Sequence, residues 1–189
     1  KLLILLTAIS FPVIYIATSQ HPIKNKNVFN SLMLFTQVGL IGVFLSGDAL
    51  QFYFFWELAL IPVYFLSSIW GGDRRVAVTF KFFIYTFVGS LLMLIGIILM
   101  YYRTADHSFL LNSFKQANIT STESLFIFFL FFIAFAIKMP IFPLHTWQPD
   151  AYEQAPTPVT MVLSAVMVKM GLYGVIKWLL PVFVLSSIK

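Results

Sequence analysis

Six stretches of the chain, approximately 2–18, 29–46, 50–69, 77–101, 124–142 and 159–180, each present about 20 nearly continuous apolar residues. In hydrocarbon no water is available to serve backbone N–H and C=O groups, so segments of this length are confined to helices. Composition agrees: 60% of the residues are hydrophobic and 10% charged, against about 25% charged in a soluble domain. The chain therefore reads as an all-α integral membrane protein with about six transmembrane helices. Its net charge of +5 is scattered, with no basic run, which argues against a nucleic-acid partner. There is no cysteine, so disulfides, zinc–thiolate sites and iron–sulfur ligation within this chain are excluded. Neither a metal-ligand cluster, a phosphate-binding glycine loop nor a nucleophile–base pair is present, so chemistry on a bound organic substrate is not indicated. The chain starts at Lys1 directly before an apolar run and stops shortly after another. It is expected to be an internal piece of a longer polypeptide.

Turn residues separate the stretches. His21-Pro22-Ile23-Lys24-Asn25-Lys26, Gly47-Asp48 and Gly71-Gly72-Asp73-Arg74-Arg75 mark three loops; the polar stretch 103–123 and the Pro-rich stretch 140–158 mark two more. With six crossings the loops alternate sides. Loops 19–28 and 70–76 carry Lys24, Lys26, Arg74 and Arg75, and the excess of positive charge assigns that side to the cytoplasm or its topological equivalent. Asn118-Ile119-Thr120 fits a glycosylation acceptor, but three residues are too weak a pattern to carry a functional reading.

The fifth stretch is interrupted. It reads Lys138-Met139-Pro140-Ile141-Phe142-Pro143-Leu144-His145-Thr146-Trp147. Pro140 and Pro143 have no N–H, so the carbonyls of Ala136 and Met139 lose their helical donors. Non-helical backbone at membrane depth is tolerated where it is buried in protein or lines a wet cavity. The helix is therefore expected to break between about 138 and 145, with water serving the freed carbonyls.

Against this apolar background three charges lie deep inside the stretches: Glu57, Lys138 and Lys169. Each costs roughly 2.5–3.5 kcal/mol at the centre of a membrane helix, which makes each a functional candidate. Counting along the helices puts all three near one level, pointing into the bundle. For each, the plain alternative is a structural charge paired with a neighbouring helix. Lys81 and Lys177 lie within a turn or two of helix ends and read as snorkelling side chains. Asp150 and Glu153 read as loop or cap carboxylates, and the phenylalanine stripes as packing or lipid-facing surface. His145 is either a cap or core residue, or a relay between the two deep lysines. Pro62 loosens the helix of Glu57, which suits a site that hydrates or shifts.

Two basic groups and one acidic group form a device for exchanging protons. Loss of water disfavours the charged form of each group, and a nearby opposite charge opposes this. At about 7 Å and an effective dielectric near 20 the attraction is roughly 2.4 kcal/mol. Moving a carboxylate towards or away from an ammonium thus changes proton affinity about fifty-fold.

Phe55-Trp56-Glu57, Lys81-Phe82-Phe83-Ile84-Tyr85-Thr86 with Gly89-Ser90, and the run Phe135 to Ala151 closely resemble the antiporter-like membrane subunits of complex I. Glu153-Gln154-Ala155-Pro156 and Val168-Lys169-Met170-Gly171-Leu172-Tyr173-Gly174 resemble the subunit M (mitochondrial subunit four) branch of that family. The resemblance covers nearly the whole chain. It implies that Glu57 and Lys138 form a proton-loading pair, that Lys169 is a central-axis lysine and that His145 relays between the lysines. It also implies two inverted five-helix repeats in the longer protein. Residues 29–180 would be the first, residues 1–28 a preceding helix and cytoplasmic loop, and 181–189 the start of the next loop. The implied function is proton translocation coupled to quinone reduction in a bacterial inner membrane, beside other membrane subunits that include neighbouring antiporter-like ones. NADH, FMN, iron–sulfur clusters and quinone would then be held by partner subunits, with no cofactor or metal on this chain. A subunit of a multisubunit cation/proton antiporter is the alternative. A non-pumping membrane scaffold with structural charges is a third reading.

Overall fold

A computed structural model describes residues 1–19 and 22–184. Gln20 and His21 of the 19–28 loop, and 185–189 of the expected 181–189 loop, lie outside the described residues. The helices are α1 (Leu2–Thr18), α2 (Lys26–Leu45), α3 (Ala49–Trp70), α4 (Arg75–Arg103), α5 (Leu111–Lys115), α6 (Ser121–Lys138) and α7 (Trp147–Gln154). A final rod, α8, joins Thr157–Val162, the π-helical stretch Leu163–Met167, Val168–Gly174 and the π-helical stretch Val175–Val184. Among the described residues no strand forms; a single isolated bridge pairs Asp48 with Leu110. Five helices (α2, α3, α4, α6 and α8) are long and apolar enough to cross a membrane. The sixth expected span is present as α1, within the bounds read from the sequence but shorter, at 17 residues. At 1.5 Å per residue it reaches about 26 Å.

Local chemistry fixes the helix ends. Asp48 caps α3 by accepting from the N–H groups of Leu50 and Gln51, and Thr120 with Glu123 forms a capping box at the start of α6. Arg103 at the end of α4 pairs with Glu123. The polar stretch 103–123, read as a loop, contains the short helix α5, pinned by the burial of Phe114.

Lipid supplies no hydrophobic pressure between helices, so close backbone approach does the packing. A methyl at Gly39 would meet the backbone of Ala59 at 2.6 Å, joining α2 to α3. At Gly89 it would meet the Ile137 side chain at 2.9 Å, and at Gly96 the Phe131 ring at 2.8 Å, joining α4 to α6. Gly171 and Gly174 of α8 face Met139 and the Phe135 ring of α6. Phe52, Trp56, Phe135 and Trp178 fill the centre, with ring centroids 5.4 to 6.3 Å apart.

The loops sort to two ends as the alternation predicts. At one end Trp70 donates from Nε1 to the Lys24 carbonyl at 2.7 Å, and Gly72 N–H donates to the Gln154 carbonyl at 2.8 Å. At the other, Ala49 N–H donates to the Phe109 carbonyl at 2.9 Å.

Candidate functional site

The break lies where the prolines put it. α6 stops at Lys138, residues 139–146 are non-helical, and α7 starts at Trp147. One of the freed carbonyls departs from expectation. Ile141 N–H reaches back five residues to the Ala136 carbonyl at 3.0 Å, so protein rather than water serves it. That shift takes from Ile137 its own helical donor. Trp147, folded back from α7, supplies the replacement: its Nε1 donates to the Ile137 carbonyl at 2.9 Å. An indole N–H is a pure donor, which suits a carbonyl left over inside a bundle.

Lys138 is 2% exposed. Its ammonium lies 5.5 Å from the centroid of the Trp56 ring and 5.9 Å from that of Phe82, with no hydrogen-bond partner on its Nζ among the described residues. Aromatic faces attract a cation without engaging its protons. The group is therefore held in place while its N–H bonds remain uncommitted. Glu57, adjacent to Trp56 on α3, is the carboxylate whose charge acts on Lys138. One Glu57 oxygen is buried without a hydrogen-bond partner among the described residues. Ser90 of α4 is its hydroxyl neighbour, and the Ser90 hydroxyl donates to the Phe87 carbonyl at 2.9 Å. Tyr53, one turn before Glu57, shares this cluster. Three helices thus converge on one carboxyl–ammonium pair that is near in space but not joined in an ion pair.

Lys169 lies on a face of α8 turned away from α6; it is half-buried, and its ammonium donates to the Ser164 carbonyl of its own helix. Helical geometry explains this: Gly171 and Gly174 define the face of α8 that meets α6, and Lys169 lies about 200° around from Gly171. Lys169 follows one π-helical stretch and precedes another, features common at functional sites. His145 has a buried Nδ1 without a hydrogen-bond partner among the described residues, and its ring centroid lies 5.6 Å from that of Phe142. No direct hydrogen bond links His145 to Lys138 or Lys169 among the described residues.

Two pairings were invisible in the sequence. Lys81, read as snorkelling, forms an ion pair with Asp150 at 2.7 Å and donates to the Thr146 carbonyl at 2.9 Å. Lys177, read the same way, donates to the Ser46 carbonyl behind α2 and lies over Tyr173 and Trp178. Spacing could not reveal partners 69 and 131 residues away. Among the described residues no group of three or more His, Asp or Glu could hold a metal ion.

Comparison with known proteins places this arrangement. The chain is 39% identical to NADH-quinone oxidoreductase subunit M of Rhodobacter capsulatus over 96% of its length and 38% of the relative's. It is 44% identical to NAD(P)H-quinone oxidoreductase chain 4 2 of Thermosynechococcus vestitus over 93% of its length and 33% of the relative's. Among solved structures, a chain of respiratory complex I from Thermus thermophilus superposes with a TM-score of 0.81 and 29% identity, over 96% of this chain and 37% of that one. The chain thus spans about a third of the length of the relatives it matches. A family model described as NADH:quinone oxidoreductase/Mrp antiporter, transmembrane, matches residues 46–189. The chain belongs to the NADH:quinone oxidoreductase/Mrp antiporter family of membrane proteins.

Proposed function

We propose that this chain is the input part of a proton-translocating membrane subunit of an NADH:quinone oxidoreductase, with Glu57 and Lys138 as the proton-loading pair. One observation carries the reading: the Lys138 ammonium is buried between the Trp56 and Phe82 rings with no hydrogen-bond partner among the described residues, beside a helix break and within the field of Glu57. A permanently paired structural charge would have its donors engaged. An uncommitted one can gain or lose a proton as the distance to its carboxylate changes. The proline break opens the helix beside Lys138, the kind of discontinuity at which transporters place their sites. His145 continues the path, and Lys169, on the outer face of α8, passes the proton to parts of the protein beyond these residues. Residues 29–180 act as one module, with loops 19–28 and 70–76 in the cytoplasm of a bacterial inner membrane. The partners are the other membrane subunits, neighbouring antiporter-like ones among them. NADH, FMN, iron–sulfur clusters and quinone are held elsewhere in the complex; the names of the relatives support this.

The matched family description also covers multisubunit cation/proton antiporters, which favours that as the second reading. Purification of the full-length protein with its partners separates the two. Recovery with NADH-oxidising subunits supports the first. A complex of antiporter subunits alone, without NADH oxidation, contradicts it.

A further inference from the structure

We propose that Lys81 and Asp150 are a positioning pair that fixes the first turn of α7 and, through it, the enclosure around Lys138; the effect on pumping rests on the function proposed above. α7 has eight residues, about 12 Å of helix, too short to hold its shape without tertiary contacts. α4 supplies them from one face over little more than one turn. Lys81 grips both ends of the first turn of α7, donating to the Thr146 carbonyl at 2.9 Å and to Asp150 Oδ2 at 2.7 Å. Phe82 packs on Trp147 with centroids 4.9 Å apart. Tyr85, one turn on, has its hydroxyl 3.0 Å from the Thr146 hydroxyl, which donates to it. The same Phe82 ring is a wall of the Lys138 enclosure, and the same Trp147 serves the Ile137 carbonyl. Loosening the first turn of α7 therefore frees the carbonyl next to Lys138 and shifts one wall of its surroundings.

The far end of α7 is tethered separately. Gln154 accepts from Gly72 N–H at its carbonyl and from Arg74 N–H at its side chain, and Arg74 pairs with Glu153 at 2.9 Å. Loss of the Lys81–Asp150 pair thus leaves the segment attached, and only its first turn is released. Lys81 and Asp150 touch neither Glu57 nor Lys138, so they act through α7 and not as proton carriers.

The test uses the full-length protein in its assembled complex, with Lys81→Ala, Asp150→Asn and Lys81→Arg. Hydrogen exchange of amides 144–154 is measured alongside proton translocation per quinone reduced. The single removals are expected to speed exchange about tenfold and to lower translocation severalfold at unchanged subunit content. Lys81→Arg, which keeps donors for both Asp150 and the Thr146 carbonyl, restores both. Wild-type exchange in both single removals overturns the proposal whatever the pump does. Faster exchange with unchanged translocation overturns the link to Lys138. Glu57→Gln serves as the control: normal translocation there counts against the proposed function, while the exchange measurement still decides the latch.

Discussion

Trp147 Nε1 donates to the Ile137 carbonyl across the helix break at 2.9 Å. The sequence interval between donor and acceptor is the break itself, so one bond closes the gap that the prolines open. Trp147→Phe keeps an aromatic ring against Phe82 and removes the donor. A buried carbonyl left unpaired costs about 1–3 kcal/mol. The variant should lower the melting temperature of the detergent-solubilised protein. An unchanged melting temperature would show that the carbonyl finds another donor.

Gly171 is where α8 meets the end of α6. A methyl there would approach the Met139 side chain at 2.6 Å and the Phe135 carbonyl oxygen at 2.9 Å. The side chain can yield; the backbone oxygen cannot. Gly171→Ala should push α8 outward, at a cost of about 1–3 kcal/mol, and reduce the amount of folded subunit recovered from membranes. Equal recovery and equal thermal stability would show that the two helices separate without penalty.

Lys138→Arg tests whether the site needs a charge or a proton. Arginine keeps the positive charge and stacks on aromatic faces, but it stays protonated throughout the working range. The variant should assemble and translocate few protons. Normal translocation would make Lys138 a fixed charge and remove it from the loading pair.

Much of the fold could be read from hydropathy and punctuation. The bounds of α1 and the break after Lys138 follow from the length of apolar runs and the missing N–H groups of Pro140 and Pro143. Glu57 and Lys138 stood out because the cost of burying charge is high against an apolar background. What stayed hidden depended on rotation and on distant pairing. Lys169 was expected to point into the bundle; the glycine face of α8 turns it away from α6, and only the neighbour of that face reveals the rotation. Water was expected at the Ala136 carbonyl, whereas Ile141 reaches it through a five-residue closure. Lys81 and Lys177 looked like end-of-helix snorkels because their acceptors, Asp150 with Thr146 and the Ser46 carbonyl, lie on other elements. The roles of Tyr53 and Ser90 beside Glu57 were equally silent. Tyr53 was the more accessible of the two, since it lies four residues before Glu57 on the same helix face.

The central claim is that the proton on Glu57, acting with Lys138, drives translocation. Glu57→Gln preserves the size and shape of the side chain and removes its titration, so the most direct test is proton translocation by membranes carrying an assembled Glu57→Gln complex. A strong loss of translocation and of coupled quinone reduction, at normal subunit content, is the predicted result. Wild-type translocation in the same membranes would contradict the account.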